Sequence, residues 1–103
     1  MSSRIDALKS LLAQDPGNTR MRHMLANEYA NAGAAAEALA EYAGMVDHDP
    51  DYVPGYFQAA RLLEAGGDTE AARSWYERGL ATAQRVGDKH AASEIAAALD
   101  LLA

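Results

Sequence analysis

One short stretch of the sequence gathers groups that could bind a metal ion. Asp47-His48-Asp49-Pro50-Asp51 places carboxylates and an imidazole side by side. A calcium loop that began at Asp47 would need a glycine at its sixth position and a carboxylate at its twelfth. The chain has Tyr52 and Gln58 at those positions. We therefore predict no metal site here, and we expect the acids to serve a helix end, a turn and the N-cap of the next helix.

The remaining reactive residues do not form a catalytic set. His23, His48 and His90 lie far apart, and no serine–histidine–acid arrangement can be argued from their positions. The absence of cysteine excludes disulfides, cysteine-ligated zinc, iron–sulfur clusters and thiol catalysis. Gly66-Gly67-Asp68 is typical of a helix connector and not of a phosphate-binding loop. We therefore predict a protein that is not an enzyme and has no catalytic residues, metal or cofactor.

Charge and hydropathy exclude further classes of function. The net charge of −6 argues against general nucleic-acid binding, which needs a basic face. No apolar run approaches the ~20 residues that span a bilayer. The first residues, Met1-Ser2-Ser3-Arg4, do not lead into the apolar core of a signal peptide. We expect a cytoplasmic protein that binds neither nucleic acid nor membrane.

The elements that position these residues are predicted to be helices. Alanine is the commonest residue, whereas the strand-forming residues valine and isoleucine are scarce, which makes the chain all-α. Glycine, proline, aspartate and asparagine cluster at regular breaks. The breaks predict six helices, at residues 3–14, 19–32, 35–48, 53–65, 69–85 and 89–102. The loops are so short that consecutive helices must be antiparallel neighbours.

An internal repeat organises the helices. Residues 19–50 align with residues 53–84 without gaps, and the identities fall at Ala26/Ala60, Gly33/Gly67, Ala38/Ala72 and Tyr42/Tyr76. Each identity has a physical role: alanines for close helix contacts, glycines for the cap between paired helices, and tyrosines as wedges into the next pair. The 34-residue period matches that of a two-helix repeat.

The repeat resembles the tetratricopeptide repeat, whose pattern is W-x2-L-G-x2-Y, then A-x3-F, then P. The first repeat reads Arg22-x2-Leu25-Ala26-x2-Tyr29, then Ala38-x3-Tyr42, then Pro50. The second reads Tyr56-x2-Ala59-Ala60-x2-Leu63, then Ala72-x3-Tyr76, then Gln84. Because the final proline is lost there, we expect the fifth helix to extend further. Related helical-hairpin arrays with slightly longer periods are the alternative.

The resemblance implies a right-handed superhelical array of antiparallel helix hairpins in a single domain over residues 1–103. Its parts would be a half repeat (3–16), two repeats (19–52 and 53–86), and a capping or third-repeat helix (88–102). Such arrays mostly serve as non-enzymatic scaffolds that bind a peptide or protein segment in a concave groove. Helical spacing places these polar and aromatic residues on the groove face: Arg20, His23, Asn27, Asn31, Phe57, Gln58 and Arg61.

Part of this face resembles the clamp with which some family members bind the carboxylate of chaperone C-termini. His23, Asn27 and Gln58 stand at three of the clamp positions, but the basic residues of the next repeat are missing, since Asp88 and Ala92 fall near there. We therefore interpret His23 and Asn27 as ordinary solvated polar residues.

The last helix predicts a second mode of interaction. Ile95, Leu99 and Leu102 should pack on the preceding pair, while the opposite side has few charges. That side carries Ala91, Ala97, Ala98 and Leu101. Repeat arrays normally end in a polar cap. We expect a monomer, and the alternative is a self-associating module that forms a homodimer through the region of Ile95, Leu99, Leu101 and Leu102.

Overall fold

The computed structural model describes residues 3–102 of the chain. Regular structure in this range is entirely helical: α1 (Ser3–Gln14), α2 (Thr19–Asn31), α3 (Ala35–His48), α4 (Val53–Ala65), α5 (Thr69–Val86) and α6 (Lys89–Leu101). The predicted all-α class is confirmed, and each predicted helix end lies within about one residue of the observed one.

The helices divide between two compact units, Met1–Asp49 and Pro50–Ala103. In the first unit α2 packs against both α1 and α3, and in the second unit α5 packs against both α4 and α6. Each packed pair is joined by a short loop, so its helices form an antiparallel hairpin. The finer division into repeats at 19–52 and 53–86 stays a prediction.

Glycine in the left-handed conformation ends three of the helices. Gly33, Gly67 and Gly87 have φ of 78°, 85° and 79°. The residue after each of the first two glycines donates its N–H to the carbonyl five residues earlier, as in a Schellman motif. Ala34 N–H donates to the Tyr29 carbonyl (2.9 Å), and Asp68 N–H donates to the Leu63 carbonyl (3.0 Å). Such turns satisfy carbonyl groups that a helix end leaves unpaired. The predicted caps at Gly33 and Gly67 are therefore confirmed.

Asparagine and aspartate side chains begin three helices. Asn18 Oδ1 accepts from Met21 N–H (2.9 Å) at the start of α2, and Asp68 and Asp88 do the same for α5 and α6. Asp51 does not, because the N-cap of α4 is Tyr52 and makes no side-chain cap bond. Asp51 instead pairs with Arg85 at 2.7 Å. The expected cap role among these acids is therefore wrong for Asp51.

The length of α5 follows from the residue that replaces proline. α3 ends at His48, two residues before Pro50, whereas Gln84 stands at the matching position of the second hairpin. Glutamine supplies a backbone N–H and continues a helix, which proline cannot do. α5 accordingly runs on to Val86, as expected.

The repeated identities lie in the cores of the two units. Ala26, Ala38, Ala60 and Ala72 are all 0% exposed. Tyr42 and Tyr76 are almost as deeply buried. The second unit has a core of Val53, Ala60, Ala72, Tyr76, Ala83 and Ile95. Small residues at these points let neighbouring helices approach closely, which is the role that the sequence predicted for them.

Two glycines inside helices also mark close contacts. A Cβ atom at Gly79 would lie 2.9 Å from Tyr56 Cβ and 3.3 Å from Ile95 Cδ1. A Cβ atom at Gly44 would lie 3.2 Å from Nη1 of Arg22. Both glycines therefore stand where another element packs closely, but the neighbour at Gly44 is the tip of a flexible side chain.

None of the helices in residues 3–102 combines the length and apolar character that crossing a membrane requires. The same range contains no group of three or more metal-binding side chains that could hold an ion.

Candidate functional site

A cavity of about 600 Å³ lies between α4 and α6 in the second unit. It is lined by Val53, Pro54, Phe57, Gln58, Arg61, Asp88, Ala91, Glu94, Ile95, Ala97, Ala98 and Leu101. Phe57, Gln58 and Arg61, the groove residues predicted on α4, all belong to this lining. The α6 side was predicted only as an apolar face with few charges, and the structure adds that this face and α4 border the same space.

The cavity exists because α6 presents small side chains toward α4. Ala91, Ala97 and Ala98 line it, and Ile95 is the one large aliphatic residue that α6 buries there. Alanines have no side-chain atoms beyond Cβ with which to reach across to α4. The same alanines are excellent helix formers, so α6 remains a stable element while leaving the space open.

Phe57 is the aromatic wall of the cavity, and two contacts restrain its ring. Its ring packs edge-to-face on Tyr76, with centroids 5.9 Å apart and an interplanar angle of 88°. The guanidinium carbon of Arg61 stands 5.7 Å from the centroid of the Phe57 ring. A ring packed on a buried tyrosine and contacted by a cation changes rotamer less readily than a free one.

Tyr76 is held in turn by Glu64. Its hydroxyl donates a hydrogen bond of 2.7 Å to Glu64 Oε1, which joins α5 to α4. Burial raises the pKa of Tyr76 to about 12, and the hydrogen bond and negative charge of Glu64 add to the rise. The hydroxyl therefore keeps its proton and its role as donor at neutral pH.

The charges around the cavity differ in how they are satisfied. Asp88 accepts the Ala91 N–H at 3.0 Å, and Glu94 pairs with His90 at 3.3 Å. Arg61 is exposed and has no ion-pair partner within residues 3–102. The cavity thus combines a largely apolar lining with two carboxylates that are hydrogen-bonded within α6 and one cation, Arg61, that forms no ion pair in the part of the chain that the structure describes.

The predicted groove residues of α2 lie in the first unit, where two of them contact Tyr42. The Tyr42 hydroxyl donates to Asn27 Oδ1 at 2.6 Å, and the His23 ring meets the Tyr42 ring edge-to-face with centroids 6.1 Å apart. Burial lowers the pKa of His23 below 6.5. His23 is therefore half-buried and not fully solvated, whereas Asn27 is exposed as expected, although it accepts the bond from Tyr42. Arg20 and Asn31 are exposed.

Arg22 is a residue whose role the sequence did not reveal. Its Nη1 pairs with Glu41 at 3.0 Å, and its Nη2 donates to the Pro16 carbonyl at 2.9 Å. The side chain also crosses Gly44. Arg22 stands at the position where the repeat pattern has tryptophan. An arginine at a position that normally holds a large packing residue could have indicated that this side chain packs between the helices.

The four residues named for a homodimer differ in accessibility. Ile95 is 1% exposed and belongs to the core of the second unit, whereas Leu101 is 86% exposed. Leu99 and Leu102 pack partly against that core. Ile95 is therefore not available to a second copy, and Leu101 is the member of the set that could be buried by one.

Comparison with known proteins supports the assignment of the fold. No protein-family model matches the sequence. TPR repeat-containing protein PA0015 of Pseudomonas aeruginosa is 36% identical over 91 residues, which are 88% of this chain and 87% of that protein. The tetratricopeptide repeat domain protein of Salinibacter ruber, solved by NMR, is 32% identical with a TM-score of 0.77, over 82% of this chain and 85% of that one.

A more distant structure has the same fold. The TPR2B domain of yeast Sti1, solved as a complex with pHsp70, is 20% identical and superposes with a TM-score of 0.83 over 92% of this chain and 76% of that one. The sequence relationship to the Pseudomonas protein covers most of both chains, and the hairpins, glycine caps and buried alanines agree with it. The chain is therefore a member of the tetratricopeptide repeat family.

Proposed function

We propose that the protein is a non-enzymatic interaction module that binds a peptide or a segment of another protein. In this proposal residues 1–103 act as one domain, with the repeats at 19–52 and 53–86. The residues proposed to contact the partner are Arg20, His23, Asn27 and Asn31 of α2, and Phe57, Gln58 and Arg61 of α4.

The observation that carries the proposal is the cavity between α4 and α6. Its volume of about 600 Å³ falls within the range of ligand-binding clefts, roughly 300–1,000 Å³. Most of its lining is apolar, and Gln58 and Arg61 add polar groups that could orient a bound chain. The TPR2B domain of Sti1, which has this fold, was solved in a complex with pHsp70, and that supports the proposal by analogy.

Site-specific photocrosslinking in the native host tests this function. A photoreactive phenylalanine analogue replaces Gln58, which lines the cavity, and in a control chain it replaces Ala81, which is exposed on α5. We expect a discrete covalent adduct with another protein from position 58 and none from position 81. The same adducts from both positions, or none from either, would contradict binding at this face.

Leu101 favours a second function, self-association through α6. A leucine that is 86% exposed gains free energy if a second copy covers it. Sedimentation equilibrium of the wild-type chain and of Leu101→Glu distinguishes the alternatives. A dimer that dissociates in the variant supports self-association, and a wild-type monomer at high micromolar concentration rules it out.

A further inference from the structure

We propose that the cavity between α4 and α6 selects a partner segment in which a large apolar side chain stands next to an acidic one. The apolar side chain enters the cavity against Phe57, and the side-chain carboxylate binds Arg61. The inference rests on the proposed function and specifies the chemistry of its partner.

The apolar half of this specificity follows from the lining. The ring of Phe57 forms one wall, and Ala91, Ala97 and Ala98 of α6 form the other. None of these four side chains can hydrogen-bond, so a polar group packed between them, away from Gln58 and Arg61, would lose its water without compensation. An aliphatic or aromatic side chain loses nothing and gains contacts with both helices.

The acidic half follows from how the charges are paired. The two carboxylates of the lining contact groups of α6 and not Arg61: Asp88 accepts the backbone N–H of Ala91, and Glu94 lies 3.3 Å from His90 Nε2, a contact that is an ion pair only when the ring is protonated. Arg61 has no such partner in the part of the chain that the structure covers. A guanidinium binds a carboxylate through two parallel hydrogen bonds, a geometry that other acceptors in a peptide do not match.

The net charge of the chain makes Arg61 decisive. At −6 the protein repels acidic partners at long range, and salt weakens this repulsion beyond a distance of about 10 Å. Selection for an acidic residue must therefore arise from local contact. Arg61 stands over the Phe57 ring, with 5.7 Å between the guanidinium carbon and the ring centroid. A carboxylate on Arg61 is thus next to the side chain that packs on Phe57, and the two ligand residues must be neighbours on one face.

Peptide display measures this preference directly. A library of random peptides, fused at their C-termini so that they present no free terminal carboxylate, is selected on the full-length chain. We expect the enriched peptides to combine a large apolar residue with an aspartate or glutamate beside it or one helical turn away. Arg61→Glu should replace the acidic residue by lysine or arginine while the apolar preference remains, because only the charge at the edge of the cavity has changed.

Matched variants separate the cavity from the rest of the surface. Ala97→Trp fills the cavity from an exposed position, and Ala81→Trp adds the same side chain to an exposed position on α5. Lys9→Glu repeats the charge reversal on α1. We expect Ala97→Trp to abolish enrichment, and the two controls to select the same peptides as the wild type. Circular dichroism melting confirms that each variant is folded.

Affinities of one selected peptide complete the test. By fluorescence anisotropy, Arg61→Glu should weaken binding at least ~10-fold, and a peptide whose acid is changed to lysine should recover it. Enrichment without an acidic residue, or an acidic preference that survives in Arg61→Glu, would overturn this inference while leaving peptide binding intact. If the wild-type chain enriches no peptide, the proposed function fails together with it.

Discussion

Gly44 and Gly79 form a matched pair for testing whether packing decides the stability of the hairpins. Both lie inside helices, Gly44 in α3 and Gly79 in α5. The perturbation is a single methyl group, introduced as Gly44→Ala or Gly79→Ala. Because the intrinsic helix propensity changes equally in both variants, the difference between them reports on the atoms that the new methyl group meets.

The two sites predict opposite outcomes. Replacing glycine by alanine stabilises a helix interior by about 1 kcal/mol. At Gly79 the methyl would lie 2.9 Å from Tyr56 Cβ, which cannot move without its backbone, and overpacking of this kind costs about 1–3 kcal/mol. At Gly44 the methyl would lie 3.2 Å from Nη1 of Arg22, the tip of a flexible side chain that can give way by a few tenths of an ångström. We expect Gly44→Ala to be neutral or stabilising, and Gly79→Ala to be less stable than Gly44→Ala by about 1–3 kcal/mol.

Thermal and urea unfolding monitored by circular dichroism provide the assay. For a chain of this size about 1 kcal/mol corresponds to a change in Tm of about 4–8 °C. The two variants should therefore differ by at least about 4 °C, with Gly79→Ala melting first. Urea titrations give the same order as free energies of unfolding, provided that the m-values of the two variants agree.

A second substitution tests the mechanism. Ile95 Cδ1 is the other atom near the new methyl, at 3.3 Å, and Ile95→Val removes it. Ile95→Val normally costs about 0.5–1.5 kcal/mol. In the Gly79→Ala background it should cost less, because it relieves crowding. The packing argument is refuted if Gly79→Ala is as stable as Gly44→Ala. It is also refuted if Ile95→Val lowers the free energy of unfolding by the same amount in the wild type and in Gly79→Ala.

Three further predictions concern a hydrogen bond, a cap and a titration. Tyr76→Phe should lower the free energy of unfolding by about 0.5–1.5 kcal/mol, because the hydrogen bond to Glu64 is lost. As pH rises from 10 toward about 12, Tyr76 of the wild type loses its proton first in the unfolded chain, so the wild type should lose stability over this range, and in urea titrations the variant should lack that contribution. Gly67→Ala should lower the free energy of unfolding by about 1–2 kcal/mol, because alanine is strained at a φ of 85°. Gly17 is the control: a Cβ atom there would also meet nothing within 4 Å, but its φ is not positive, so Gly17→Ala should melt like the wild type. The pKa of His23 is lower in the folded chain than 6.5, so stability should fall as pH falls through 6.5, and His23→Gln should flatten this dependence; an unchanged slope would contradict it.

Local signals in the sequence were sufficient to locate the helices. Gly33 and Gly67 predicted the caps because a left-handed residue is a property of a single position. Gln84 in place of proline predicted the longer α5 for the same reason. The role of Asp51 could not be predicted in this way, because aspartate both caps helices and pairs with arginine, and its partner Arg85 is distant in sequence.

The candidate site could be predicted only in part. Helical spacing placed Phe57, Gln58 and Arg61 on one face of α4, and the three do line one cavity. The bond from Tyr42 to Asn27 joins two helices and left no trace in the pattern of either. Spacing within one helix says which side chains share a face, but it does not say which atoms another helix brings to that face.

The sequence by itself determined the class, the helices and the family resemblance, because propensity, capping and a repeated spacing are short-range properties of the chain. The tertiary structure decided that the alanine face of α6 and the aromatic face of α4 border one cavity, and that Arg61 remains without an ion-pair partner at its edge within residues 3–102. It also decided that Ile95 is buried while Leu101 is exposed, although both belong to the same short helix. These outcomes depend on the distance and rotation between packed helices, which the whole core sets and no single segment encodes.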